Sequence, residues 1–82
     1  MRIDIYQAGD DRILLVLDGK GIPHISGKGS EFLEGLKHER QVDLINLPAG
    51  LPRDEVKKSI DERGYYAARY SATITEVDIQ EK

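Results

Sequence analysis

The apolar run Ile13–Leu17 constrains the fold of this chain most strongly, because it lies between an arginine and an Asp-Gly pair. A short apolar run bounded by turn residues is typical of a strand buried on both faces. In residues 2–7, Ile3 and Ile5 alternate with polar residues, as in a half-buried strand. Residues 8–11, Ala-Gly-Asp-Asp, favour a turn. The chain therefore begins with a predicted antiparallel hairpin whose second strand lies inside the sheet.

Two later segments predict helices. Residues 31–37 follow Ser30, a good N-cap, and place apolar side chains at positions i, i+1 and i+4. Residues 52–63 begin with a proline suited to the first helical turn, and Gly64 follows as the expected terminator. Both helices have narrow apolar stripes, so we expect them to pack on the same face of the sheet.

Two further regions predict strands. Residues 41–47 form the third predicted strand, and residues 65–79 hold the last. In that last region the alternation changes phase near Thr75–Glu76. The region also exceeds the mean strand length of about five to six residues, so it either splits in two or overhangs the sheet. The order β-β-α-β-α-β predicts an α+β fold, a small two-layer sandwich with an about four-stranded, mainly antiparallel sheet and two helices on one face.

Composition indicates a single folded domain. The chain has 82 residues, of which 22 are Ile, Leu, Val or Phe, or about 27%, above the ~20% below which disorder is expected. We expect residues 1–82 to form one domain, with a polar tail at 79–82. The absence of cysteine excludes disulfides, thiol nucleophiles and cysteine-ligated metals.

The charge distribution argues against nucleic acid and membranes as partners. The formal net charge is −3, with 6 basic and 7 acidic groups in residues 1–41 and 6 and 8 in residues 42–82. Nucleic-acid-binding proteins usually have a basic patch, which neither half shows. The longest apolar run is far shorter than the roughly 20 residues that span a bilayer. We expect a cytoplasmic protein without a targeting segment.

The glycine-rich stretch 20–30 is the first candidate site. Glycine amides before a helix N-terminus favour anions, and a lysine adds positive charge. The sequence departs from the phosphate-binding P-loop pattern, because Gly29 stands where Ser or Thr would bind magnesium. The simpler interpretation is a flexible loop that ends in an N-cap. The anion-binding candidates are His24, Gly27, Lys28, Gly29 and Ser30.

Histidine chemistry is the second possibility. His24 and His38 are the two histidines, and a zinc site would need them together with a carboxylate such as Glu34 or Glu39. As a general base His24 lacks a nucleophile or an orienting acid at a recognisable spacing. We therefore expect no metal, no cofactor and no catalytic residue, and each histidine is expected to be exposed or packed in a loop.

The tyrosines near the end of the chain suggest an interface. Tyr66 and Tyr70 share one face of the last strand region, and tyrosine is enriched at protein interfaces. The alternative is that these rings cover the second helix. Surplus length in the last strand could also pair with another chain by strand addition. The interface candidates are Tyr65, Tyr66, Tyr70, Ile74, Val77 and Ile79.

These observations favour a non-enzymatic protein-protein interaction or assembly module. A small core gains stability from association, and a twofold homodimer is the commonest assembly, so we expect the partner to be a second copy or another protein. The alternative is an anion- or phosphate-binding regulatory domain, or a small enzyme, that uses the loop 20–30.

Overall fold

A computed structural model of the chain describes residues 2–9, 11–23, 31–48, 50–70 and 74–77. Those residues contain five strands and one α-helix. The elements are β1 (Arg2–Gln7), β2 (Arg12–Leu17), β3 (Lys37–Asp43), α1 (Arg53–Arg63), β4 (Tyr65–Tyr70) and β5 (Ile74–Glu76). The strands form one antiparallel sheet in the order β3-β1-β2-β4-β5. The α+β class predicted from the sequence is confirmed.

The predicted first hairpin is confirmed. Ile3 of β1 pairs with Leu17 of β2, and the Asp18 amide donates to the Arg2 carbonyl at 3.0 Å. β2 lies between β1 and β4, and its residues Ile13–Val16 are at most 1% exposed. A strand covered on both faces needs apolar side chains on both, which is why this run does not alternate.

One side of the sheet, here called the helix face, packs against α1. Ile3, Ile5, Ile13, Leu15, Tyr66 and Ala68 supply the sheet side of this cluster. Val56 and Ile60 fill it from α1, and each contributes about 1.5–3 kcal/mol through burial of its side chain. The helix ends as predicted at Gly64, whose φ of 89° suits glycine and whose amide donates to the Ile60 carbonyl at 2.9 Å. No helix among the described residues has the length and apolarity needed to span a membrane.

The opposite side of the sheet, here called the loop face, is also covered, so the predicted arrangement of two layers with two helices on one face is wrong. Leu14, Val16, Tyr65 and Ala67 form its floor, and Leu36 is the buried residue that covers them. The partly buried apolar side chains around them come from Tyr6 of β1 and otherwise from turns and loops. The sheet is therefore the middle layer, with α1 on one side and irregular chain on the other.

The first predicted helix, residues 31–37, does not form. Residues 31–33 make a single 3-10 turn, and the chain reverses at Gly35, whose φ is 78°. The Arg12 guanidinium donates to the Glu31 and Phe32 carbonyls at 3.0 and 2.9 Å. An α-helix would use the same carbonyls for its own hydrogen bonds, and a helix this short is marginal by itself. The long-range contact therefore prevails over the local amphipathic pattern.

The third strand lies earlier in the sequence than predicted. β3 covers Lys37–Asp43 rather than residues 41–47, and Leu44–Asn46 form a 3-10 turn. The register shifts between Ile5 and Tyr6 of β1, so that Tyr6 pairs with His38. Most of β3 is exposed because it lies at one edge of the sheet. An exposed edge strand needs no apolar alternation, and the periodicity therefore did not reveal it.

The last strand region splits in two, one of the two outcomes predicted for it. The break precedes Ile74 rather than falling at Thr75–Glu76, and β5 returns antiparallel along β4. The Val77 amide then donates to the Ala67 carbonyl at 2.8 Å. The surplus strand length in this part of the chain therefore pairs with the chain itself. The predicted tail 79–82 lies outside the described residues.

Candidate functional site

Four polar side chains meet on the loop face where β1, β3 and the end of β2 lie side by side. We call these residues, Asp4, Asp18, His38 and Gln41, the Asp4 junction. Gln41 Nε2 lies 2.9 Å from Asp4 Oδ1 and 2.6 Å from Asp18 Oδ1. His38 Nε2 lies 3.2 Å from Asp4 Oδ1, and the Gly19 amide donates to Asp4 Oδ2 at 3.3 Å. The Asp4 carboxylate thus connects three neighbouring strands, β3, β1 and the end of β2.

Strand register creates this junction. Asp4 pairs directly with Gln41, and side chains of directly paired antiparallel residues lie on the same face. The irregularity between Ile5 and Tyr6 then brings His38, instead of Glu39, opposite Tyr6. A bulge redirects side chains in this way and is common beside functional sites.

Asp4 is a nearly buried carboxylate, with 8% of the residue exposed. Burial raises the pKa of Asp4, but the hydrogen bonds from Gln41, His38 and the Gly19 amide outweigh it, so the net pKa lies below the usual value of 3.8. Asp4 is therefore an ionised acceptor near neutral pH, and hydrogen bonds to an ionised group are stronger than neutral ones.

His38 is half exposed at the rim of the junction. Its side chain is 49% exposed, and its ring meets the Tyr6 ring edge-on, with centroids 5.3 Å apart and planes at 78°. A histidine held by a carboxylate resembles the base-orienter part of a catalytic triad. The serine of the described residues, Ser59, lies on α1 and donates to the Tyr65 carbonyl at 2.7 Å. In the described part of the chain the junction thus has an orienting acid and a base but no serine nucleophile.

Metal binding has no structural support within the described ranges, where no group of three His, Asp or Glu side chains could hold an ion. The alternative in which His24 and His38 bind zinc together falls outside those ranges, because residues 24–30 are not described. The anion-binding candidates His24, Gly27, Lys28, Gly29 and Ser30 lie in the same undescribed segment.

The second candidate surface is apolar and adjoins the junction through Tyr6. We call the partly buried side chains of the loop face the loop-face patch. Its members are Tyr6, Ala8, Ile22, Phe32, Leu33 and Val77. These six outnumber the five buried residues of the same cluster, whereas the helix face has nine buried and six partly buried residues. Among the residues that the structure describes, the loop face is therefore the less completely covered side of the sheet.

The predicted interface residues do not lie on one common surface. Tyr65 and Tyr66 are 6% and 1% exposed and belong to the loop-face and helix-face clusters, respectively. Tyr70 and Ile74 are partly buried against the helix-face cluster. The position of Tyr66 and Tyr70 on this face agrees with the alternative in which their rings cover the helix. Val77 belongs to the loop-face patch, and Ile79 lies outside the described residues. Of the six candidates, Val77 therefore lies on the surface considered below.

Sequence reasoning missed Asp4 and Gln41, and it considered His38 only as a metal ligand. The available signal was the alternation in residues 2–7, which places Asp4 and Tyr6 on the face opposite Ile3. That face was assumed to meet solvent. Its burial depends on residues from later segments that return over it, among them Gly19, Ile22 and Leu36. Strand periodicity does not predict such cover.

A groove of about 290 Å³ lies along the outer side of α1, away from the Asp4 junction. The residues that line it are Glu55, Lys58, Ser59, Glu62 and Arg63. Charges of both signs on an exposed helix are expected of a solvated surface, so the groove does not mark a ligand site.

Comparison of the chain with protein-family models, curated proteins and solved structures returned no match.

Proposed function

We propose that this chain is a non-enzymatic protein-protein interaction module that forms a homodimer through the loop-face patch. The observation that carries the proposal concerns the described part of the loop face, where six apolar side chains are only partly buried over a floor of Leu14 and Val16. Aromatic side chains such as Tyr6 and Phe32 are enriched at the centres of protein interfaces. Small domains gain stability by burying such surface against a partner.

The edges of the sheet are less suited to dimer formation by strand addition than the loop face is to face-to-face packing. At one edge, β3 carries Lys37, Glu39 and Arg40 beside the bulge, and charges and bulges protect an edge from pairing. At the other edge, β5 has three residues. The interface proposed here is therefore a face of the sheet rather than an edge.

Light scattering after size exclusion, at two concentrations about a hundredfold apart, tests the proposal. We expect a mass near twice 9.2 kDa for the native chain. Leu33→Glu places a charge in the patch and should shift the mass toward the monomer. Ile45→Glu is the matched control, because Ile45 is 73% exposed and lies on the turn after β3, outside the patch.

A monomer at both concentrations would overturn the homodimer. A dimer that Ile45→Glu dissociates and Leu33→Glu leaves intact would overturn the choice of surface. The anion-binding alternative has a separate test, because it predicts that phosphate shifts the amide signals of residues 20–30 and that Lys28→Ala abolishes the shift. Unchanged spectra at millimolar phosphate would contradict that alternative.

A further inference from the structure

The hydrogen bonds of the Asp4 junction determine which atoms it presents outward. Gln41 Nε2 faces two carboxylate oxygens, Asp4 Oδ1 at 2.9 Å and Asp18 Oδ1 at 2.6 Å. A carboxylate ionised near neutral pH can only accept hydrogen bonds, and an amide nitrogen has two hydrogens. Both hydrogens of Gln41 are therefore used, and the flipped amide would bring its oxygen against two anions. The Gln41 Oε1 atom is consequently an acceptor directed away from both carboxylates.

The same reasoning fixes the proton on His38. Its Nε2 lies 3.2 Å from Asp4 Oδ1, so Nε2 carries a hydrogen. In the neutral ring the other nitrogen, Nδ1, is then an acceptor. The ring is 49% exposed, which leaves it accessible at the rim.

The third outward acceptor belongs to Asp18. Its Oδ1 receives the Gln41 amide, and the residue is exposed at the end of β2. Its second oxygen adds acceptor capacity, and the carboxylate as a whole carries a negative charge. On the His38 side of the junction, Tyr6 presents an aromatic ring that contacts the imidazole.

We propose that the Asp4 junction binds the guanidinium group of an arginine side chain from a protein partner. A guanidinium group is planar, carries five N–H donors and no acceptor, and stacks on aromatic rings. Those properties complement a rim formed by Gln41 Oε1, His38 Nδ1 and the Asp18 carboxylate, with the Tyr6 ring against His38. The proposal rests on the interaction role proposed above and names the chemistry of one contact at the edge of the loop-face patch.

A titration of the native chain with N-acetyl-arginine methylamide, followed by nuclear magnetic resonance, tests the proposal. We expect saturable shifts of the Gln41 side-chain amide, the His38 ring and the Gly19 amide. The analogous citrulline compound has the same shape without the charge and should produce no saturable shift. Asp18→Asn keeps an acceptor for Gln41 but removes the charge, and should weaken binding by about 1.5- to 5-fold, as expected for an exposed ion pair. Asp61→Asn, on α1, should leave binding unchanged.

Absence of saturable shifts up to about 50 mM arginine compound, or equal shifts with citrulline, would overturn the proposal. Its failure is distinguishable from failure of the homodimer, because the titration reports on the junction and the mass reports on assembly. A monomeric chain that still binds the arginine compound would retain the guanidinium site and lose the dimer. A dimer whose junction does not respond to the arginine compound would retain the homodimer and lose the guanidinium site.

Discussion

His38 Nε2 lies 3.2 Å from Asp4 Oδ1, although 34 positions separate these residues in the sequence. The contact joins the edge strand β3 to β1 on the loop face, where Gln41 adds a second bond to the same oxygen. Because a nearly buried carboxylate loses its water, each of these bonds replaces hydration that the fold removes. Asp4 therefore has a structural role in addition to organising the candidate site.

Asp4→Asn should destabilise the fold by about 1.5–3 kcal/mol, the range for hydrogen bonds to a charged group. The NH2 group of the new amide would face groups that now donate hydrogen bonds to the carboxylate. The measurement is the free energy of unfolding in urea. Asp61→Asn is the control, because its ion pair with Lys57 is half exposed and screened by solvent, so its loss should destabilise the fold much less. Equal losses for the two variants would show that the junction has no special role.

The contribution of Asp4 should depend on pH in one direction. Its pKa is lowered in the folded chain, where burial raises it and the hydrogen bonds from Gln41, His38 and Gly19 lower it further than burial raises it. A group with a lowered folded-state pKa stabilises the fold above its usual, unfolded pKa of 3.8, and this stabilisation is lost as pH falls through the folded value. The stability difference between the native chain and Asp4→Asn should therefore be present near pH 5 and shrink below about pH 4. Urea unfolding across this range measures it, and a difference that grows on acidification would contradict the account.

Arg12→Met should loosen residues 31–36, because the guanidinium binds the Glu31 and Phe32 carbonyls. We expect a stability loss of about 1–2 kcal/mol from two hydrogen bonds. Amide hydrogen exchange should also become faster at Glu34, whose N–H donates to the Glu31 carbonyl at 3.2 Å. Arg69→Met removes an exposed ion pair with Asp11 from the neighbouring strand and is the matched control. Unchanged exchange in Arg12→Met would mean that apolar packing alone holds the turn.

Ser59→Ala should weaken the attachment of α1 to β4. The buried hydroxyl donates to the Tyr65 carbonyl at 2.7 Å, and alanine would leave that carbonyl without this bond. We expect a loss of about 1–3 kcal/mol in the free energy of unfolding. Lys58→Ala changes an exposed neighbour on the same helix and should stay within about 0.5 kcal/mol of the native chain. A Ser59→Ala value in that same range would contradict the role of the hydroxyl.

Local patterns predicted the parts of the fold that local energetics determine. The first hairpin follows from the alternation of residues 2–7 and the apolar run Ile13–Leu17. α1 follows from its proline start, its acidic first turn and Gly64 at its end. In each case the residues that specify the element lie within it or directly beside it.

The incorrect predictions concern elements that distant residues determine. Residues 31–37 have a helical pattern, yet Arg12 captures two of the carbonyls that a helix would need. β3 is a strand because β1 offers it an edge, and its polar sequence shows no apolar alternation. The candidate site has the same origin, because Asp4 becomes buried only when Gly19, His38 and Gln41 reach it from other segments.

The most direct test of the proposed interface is isotope-filtered nuclear Overhauser spectroscopy on equal amounts of labelled and unlabelled chain. We predict intermolecular contacts that involve Phe32, Leu33 and Val77 of the loop-face patch. Contacts centred on Ile45, or none at a concentration where light scattering shows a dimer, would contradict a homodimer formed through the loop face.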